Sequence, residues 1–371
     1  MKFSIQSNEL QKALNIVGSI IPTKSTLPIL ENFHFSLSGN NLIITATDLD
    51  TSTSITVKVK TSADGTIAIP AKRITETIRT LTNTEIQFIA EHDGSKIVMR
   101  TDNGEYKLCG ESSDNYPTIP VFKSNEEIKI NNEYLKRLIN KTSFAVSADE
   151  LRPAMMGILF QIKKNEIRAV ATDGHRLVRI INSTFASSKV ERDIIIPSKA
   201  LTQALKSIEG EDSTISLNDT HIMFSLGDVT LISRIIEEKY PNYESVIPID
   251  NDKKLIVDRN QLISSVRRTA IYASSTTHQV RFSLKKGTMT VSAEDIDFGT
   301  EAKETLSCDY SSDPMEIGFN SSYIADILSH IDTNEVLIML SNPTRACIIK
   351  PIDQETGENL LMLVMPVRLS S

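Results

Sequence analysis

Apolar side chains along this chain alternate between two periods. Leu10, Ala13, Leu14 and Val17 recur at i, i+3, i+4 and i+7, which is one face of an amphipathic helix. Ser7 or Asn8 stands where the helix needs an N-cap. Period two then takes over. HFSLS alternates, LIITATD is an apolar run rich in β-branched residues, and TSITVKVKT alternates again, predicting three strands. Gly39-Asn40 supplies the turn between the first two. The succession then recurs as strand TIAIP, helix KRITETIRTL and strands EIQFIAE, KIVMRT and EYKLCGE. Leu201, Ala204, Leu205 and Ile208 repeat the helical spacing, as do Ile324, Ile327, Leu328 and Ile331.

The whole pattern occurs three times. Leu10, Leu135 and Leu262 fall at matching places about 125 residues apart, and so do Asp48, Asp173 and Asp295. IAIPAKRITETIRTL, IIIPSKALTQALKSI and EIGFNSSYIADILSHI align, with Pro70, Pro197 and Asn320 at the turn. Tyr116-Pro117, Tyr240-Pro241 and Met365-Pro366 mark the end of each copy. A period this long means repeated whole domains, each large enough for a core of its own, and not a solenoid. The expected domains are 1–125, 126–253 and 254–371, joined at VFKSNEE and PIDNDKK. Each comprises two strand–helix–three-strand units. Strands in sequential runs favour antiparallel sheets with helices on one face, an α+β fold. Six like units with one helical face invite a curved or circular arrangement, helices on one side and sheets on the other.

Composition narrows the class. The 371 residues are 40% hydrophobic with no Trp, so the cores must rest on aliphatic side chains and Met. No apolar run approaches the ~18 residues of a membrane helix. The chain opens directly on the strand KFSI, without a signal-peptide pattern. Cys109, Cys308 and Cys347 are too scattered for a disulfide frame or a zinc site. A cytoplasmic protein without metal or cofactor is expected. The net charge of −7 argues against a nucleic-acid partner until its distribution is read. Residues 71–81, 132–145, 198–208 and 258–273, all predicted helical, each carry a surplus of two basic side chains. Lys12, Lys24, Lys72, Arg73, Arg79, Lys136, Arg137, Lys141, Lys199, Lys206, Arg267 and Arg268 are therefore candidates to face a phosphate backbone. Lys and Arg are also simply good helix formers. The sixth helix has neither. No base-reading or aromatic stacking element is evident, so any DNA contact is expected to ignore sequence.

Thr172-Asp173-Gly174-His175-Arg176 is the one cluster that suggests acid–base chemistry. Asp48 and Asp295 lack the His, and no nucleophile or metal partner stands at a recognisable spacing. The recurrent ATD/AED reads better as a strand end closed by an Asx-type turn. His175 and Arg176 are additions to the repeat and are candidates for a local binding site. No phosphate loop or dinucleotide fingerprint occurs. A binding or scaffold role is thus favoured over catalysis. The terminal LLMLVMPVRLSS reads as a last strand plus a tail whose Met, Val and Leu suit an adaptable apolar wall.

MKF at the start, TLPIL at 26–30, ATD at 46–48, TDGHRL at 172–177, YPNY at 240–243, EIGFNSSY at 316–323 and MPVRL at 365–369 carry a resemblance over the whole chain. The chain resembles the bacterial DNA polymerase III beta subunit family, the replicative sliding clamps. The resemblance implies a non-catalytic processivity factor. It implies a head-to-tail homodimer closed into a ring around duplex DNA, with helices inside and sheets outside. Tyr106 and Leu108 would face Ile271 and Tyr272 across the dimer contact. It also implies a peptide pocket formed by Arg152, Met155, Thr172, Gly174, His175, Arg176, Leu177, Pro241, Val246, Asn320, Tyr323, Leu363, Met365, Pro366, Val367 and Arg368. Its partners would be the polymerase III alpha subunit, the clamp loader, and other polymerases and repair proteins bearing clamp-binding motifs. Pro153-Ala154 and Ser245 depart from the bulkier residues and the Arg common in the family, which touches peptide preference. Ser370-Ser371 extend past the usual end.

Overall fold

The computed structural model describes residues 1–371 except 92–95, 120, 121, 125, 186–189, 370 and 371. The Ser370-Ser371 extension and part of the VFKSNEE joint lie outside the described residues. Six α-helices occur among them: α1 (Ser7–Gly18), α2 (Ala71–Thr80), α3 (Asn132–Thr142), α4 (Ser198–Ser207), α5 (Arg259–Ala270) and α6 (Ser321–Ser329). Each is followed by three strands, as the periodicity predicts. Leu10, Ala13, Leu14 and Val17 are buried, as are Leu201, Ala204 and Ile208, and Ile324, Ile327, Leu328 and Ile331. Each such Leu, Ile or Val contributes about 1.5–3 kcal/mol of transfer free energy. The predicted cap of α1 is not formed. Gln6 holds the N-cap position without a side-chain bond. Ser7 is drawn into the first turn, where its Oγ accepts from the Thr84 amide at 3.1 Å. Asp258 and Asn320 do cap α5 and α6, accepting from the Gln261 and Ser322 amides.

Two compact units contain these elements. One combines Met1–Lys136 with Lys199–Ile235, the other Arg137–Ser198 with Ile236–Ser371. The central repeat is shared between them, and the sheets show why. Within every repeat, the two strand–helix–three-strand units exchange their leading strands. Lys2–Gln6, which leads into α1, pairs with Glu85–Ala90 of the sister unit. Gly65–Pro70, which leads into α2, pairs with Asn32–Ser38 of the first. The same exchange joins Glu126–Asn131 to Asp212–Leu217, Arg192–Pro197 to Gly157–Lys163, Lys253–Asp258 to Glu335–Leu340, and Met315–Asn320 to Gln279–Lys285.

Sheets also run on from repeat to repeat. Val229–Arg234, the last strand of the second repeat, pairs antiparallel with Thr51–Lys58 of the first, completing an eight-stranded sheet. Glu358–Val364, the last strand of the third repeat, pairs with Arg176–Asn182 of the second, completing a nine-stranded sheet. The corresponding strands that have no neighbouring repeat remain as free edges. They are Gly104–Leu108 of the five-stranded sheet and Thr300–Ser307 of the four-stranded sheet. The stretch expected as one strand, TSITVKVKT, is divided at Val59. Thr51–Lys58 belongs to the eight-stranded sheet, and Lys60–Ala63 pairs with Lys2–Gln6 in the five-stranded one.

Candidate functional site

Asp48, Asp173 and Asp295 close the same turn in each repeat. The Asp48 carboxylate accepts from the Asp50 and Thr51 amides, Asp173 from those of His175 and Arg176, and Asp295 from those of Asp297 and Phe298. The Asx turn read from the sequence is therefore structural. The Asp173 side chain is occupied by two amides and by Arg176 Nε at 3.1 Å. The His175 ring stacks on Tyr323, with ring centroids 6.0 Å apart. The geometry provides no Asp–His acid–base pair.

What the second repeat adds at this turn is a cluster of cationic and aromatic side chains. Gly174 has φ of +92°, where an L side chain is strained, and a Cβ there would lie 2.9 Å from Arg152 Nη1. That guanidinium instead donates to the Asp173 carbonyl at 3.1 Å, and its Nε donates to Asp149. Thr172 Oγ1 accepts from the Gly174 amide and donates to the Arg176 carbonyl, fixing the loop from inside. Arg176 lies between two aromatic faces, 5.3 Å from the Phe144 ring centroid and 4.8 Å from that of Tyr323. It also pairs with Asp326 on α6. A desolvated cation–π contact of this kind contributes up to about 2 kcal/mol. Burial, with the Asp173 charge, pushes the Tyr323 phenol up, so it stays protonated at neutral pH.

The C-terminal tail completes the site. The Met365 amide donates to the His175 carbonyl at 2.8 Å, and the Val367 amide to the Gly318 carbonyl at 2.9 Å. A Cβ on Gly318 would sit 2.7 Å from Leu369 Cδ2 and 2.9 Å from the Val367 carbonyl oxygen. Glycine at 318 is thus what lets the tail lie against Met315–Asn320. Leu177 and Leu363, expected in the pocket, are 2% exposed and belong to a core cluster with Leu159, Val170, Tyr243 and Ile348. Met365, Pro241 and Val246 are exposed, Arg152 and Arg368 likewise, while Met155, Tyr323, Pro366, Val367 and the capping Asn320 are half-buried. These residues all fall within the unit that contains 137–198 and 236–371. Sequence reasoning missed Phe144, Gly318 and Asp326. Only Gly318 left a signal, as a lone glycine inside a strand pattern.

The basic side chains expected to face phosphate divide into two sets. Lys24, Lys72, Arg73, Arg79 and Lys206 are exposed and have no acidic partner among the described residues. Arg267 is exposed and touches only Ser329. Lys12 pairs with Glu209, Lys199 with Asp48, Arg268 with Glu304, and Lys136 more loosely with Glu133 at 3.7 Å. Arg137 and Lys141 are a correction to the expectation. Arg137 binds Glu358 and Asp332, and Lys141, only 7% exposed, binds Asp332 and the His330 carbonyl. They are structural ties between α3 and the 330–358 region, neutralised inside the chain. At the expected dimer contact, Ile271 is 78% and Tyr272 43% exposed, beside the free edge at Thr300. Tyr106 is half-buried, and Leu108 is already 7% exposed within its own repeat, so it has little surface left for a partner.

Comparison with known proteins agrees with this geometry. Family models for the N-terminal, central and C-terminal domains of the DNA polymerase III beta subunit match residues 1–120, 129–242 and 244–368. The beta sliding clamp of Pseudomonas putida is 30% identical over 373 residues, covering all of both chains. The crystal structure of the sliding clamp of Bartonella birtlesii bound to griselimycin matches with a TM-score of 0.93 at 29% identity, over all of both chains. That of the beta subunit of Thermotoga maritima matches with a TM-score of 0.92 at 25% identity, again over all of both. The chain belongs to the DNA polymerase III beta subunit family, the sliding clamps that give DNA polymerase its processivity and perform no chemistry of their own.

Proposed function

We propose that two copies of this chain close head to tail into a ring around duplex DNA, and that the groove at His175, Tyr323 and Met365 captures linear motifs of replication and repair proteins. The observation that carries the ring is the sheet rule. The last strand of each repeat pairs with the Arg176–Asn182 type of strand in the repeat before it. Among the described residues, the last strand of the first repeat and the Arg176–Asn182 type of strand in the third have no such partner. Gly104–Leu108 and Thr300–Ser307 are therefore left as complementary edges. A contact between unlike surfaces that closes makes a ring. Exposed Ile271 and Tyr272 beside one edge and Tyr106 on the other suit such a contact. Lys24, Lys72, Arg73, Arg79 and Lys206, without acidic partners among the described residues, offer one unit a sequence-independent phosphate surface, and Arg267 offers the other a further cation.

Within this reading the polymerase III alpha subunit, the clamp loader and other motif-bearing polymerases and repair proteins compete for the groove. Tethering raises their local concentration on DNA without new contacts to it. Residence in the cytoplasm follows from that role. No helix among the described residues is long and apolar enough to cross a membrane.

Retention on DNA tests the ring. The protein is loaded with a clamp loader onto nicked circular plasmid, half the sample is linearised, and both are sized in moderate salt. Protein should stay on the circle and slide off the linear form, and direct unloaded binding should fall steeply from low to physiological salt. Equal retention on both forms would mean that the chain grips a groove and does not encircle. His175 gives a second test. Replacing it with Ala should weaken motif-peptide binding about 3- to 10-fold through loss of the Tyr323 stack, measured by fluorescence anisotropy. Loss of a chemical turnover in that variant would revive an enzymatic role.

A further inference from the structure

The groove's own charges are largely spent on one another, and in two of the pairs, Arg176–Asp326 and Arg168–Glu244, the acidic member is the more exposed. Arg176 is 11% exposed and is shared between Asp173 and Asp326; Asp326 is 49% exposed. Arg152 is bound by Asp149, with both about equally exposed. Two guanidiniums thus face three carboxylates. At the lip next to Val246, Arg168 is 19% exposed and bound by Glu166 and by Glu244, which is 59% exposed. Arg179, half-buried nearby, offsets that charge but does not reach the surface as Glu244 does. Ser245 adds no cation there; its hydroxyl turns back to the Asn242 carbonyl at 2.7 Å. Arg368, on the tail, is the one groove cation without an acidic partner among the described residues.

Resting on the groove reading above, we infer that this site selects linear peptides whose apolar anchors are accompanied by basic or neutral residues, and disfavours acidic ones. An incoming carboxylate meets Asp326 and Glu244 first. To reach Arg176, which lies between two aromatic rings, it must displace a carboxylate already paired with that guanidinium. An incoming Lys or Arg meets the same two acids without displacing anything. Exposed pairs of this kind are individually weak, so the preference is a graded one that salt reduces. Arg368 tolerates an acid only at the tail end of the groove.

Three labelled peptides, end-blocked and sharing one Leu and one Phe anchor, carry Ser, Asp or Lys at every polar position. Their affinities for the full-length protein are measured by fluorescence anisotropy at low and at physiological salt. The Lys peptide should bind about 3- to 10-fold tighter than the Ser peptide at low salt, and the Asp peptide weaker by a similar factor. Ser245→Arg, a surface change that leaves the fold intact, should narrow or reverse the order, and Glu244→Gln should reduce the Lys advantage. Arg368→Ala should weaken the Asp peptide further. An Asp peptide that binds as well as the Ser peptide overturns the charge preference while leaving the groove in place. Failure of all three peptides to bind, with the fold intact by circular dichroism, overturns the groove reading and this inference with it.

Discussion

Deleting residues 365–371 is expected to lower motif-peptide affinity by about 100-fold or more while leaving the dimer assembled. The tail's place in the site rests on two backbone hydrogen bonds, from Met365 to His175 and from Val367 to Gly318, and on the apolar surface of Met365, Val367 and Leu369. Losing two such apolar contacts costs about 3 kcal/mol, which corresponds to that factor. None of these residues lies on the two free edges proposed to meet between copies, so sedimentation should report an unchanged assembly. A monomeric deletion product, or one that binds peptide normally, contradicts the assignment. Gly318→Val offers an independent route to the same result. It displaces the tail by filling the space occupied by Leu369 and the Val367 carbonyl, without shortening the chain.

Asp332→Ala should destabilise the fold by about 2 kcal/mol at neutral pH. Lys141 is almost fully enclosed, and its ammonium holds Asp332 and the His330 carbonyl, each at 2.7 Å. Arg137 shares the same carboxylate at 2.9 Å. Removing one partner of an enclosed ion pair costs 3–5 kcal/mol where burial is complete. Asp332 is 60% exposed, and water and the remaining Glu358 contact of Arg137 reduce the loss. Burial opposes ionisation of Asp332, yet the hydrogen bonds from Lys141 and Arg137 outweigh it and hold the carboxyl below the ordinary Asp range. A depressed carboxyl stabilises the fold above its unfolded pKa and loses that contribution as pH falls through the folded value. The gap between wild type and variant, measured by urea unfolding, should therefore be full at pH 7 and close below about pH 4. A gap that persists unchanged at low pH would assign the loss to packing and not to charge. Lys141→Met removes both the charge and its burial cost, and should be far milder.

Two residues of the candidate site are legible because they depart from a repeat, and the rest were expected only through the family resemblance. His175 and Arg176 stand out only because Asp48 and Asp295, at the same turn, lack them. The Asx turn was legible because it is local, involving an Asp and amides two and three residues on. Phe144 and Asp326 were not legible. Both are ordinary helix-end or helix-face residues in one dimension, and what places them at the site is their contact with Arg176, which is not their neighbour in the chain. The basic helices taught a similar lesson. The surplus of cations on 132–145 is visible in the sequence, but the pairing of Arg137 and Lys141 within the chain is not. Whether a Lys faces solvent or a carboxylate depends on Asp332 and Glu358, some two hundred residues on.

Local patterning was sufficient for the number of repeats, the order of strands and helices in each, and the buried face of every helix. Period 2 and period 3.6 are properties of neighbouring residues, and burial enforces them wherever an element has one wet face. Strand pairing carries no such record. An alternating segment specifies which side chains point inward but not which segment lies beside it. Three-dimensional packing chose the exchange of leading strands between sister units, and it broke TSITVKVKT at Val59 so that one half could serve each sheet. It ran the sheets across repeat boundaries, which left Gly104–Leu108 and Thr300–Ser307 as edge strands, each paired on one side only. It also brought the end of the chain onto the His175 loop. The groove belongs to contacts between residues over a hundred positions apart, and their backbone bonds exist only once both sheets have formed.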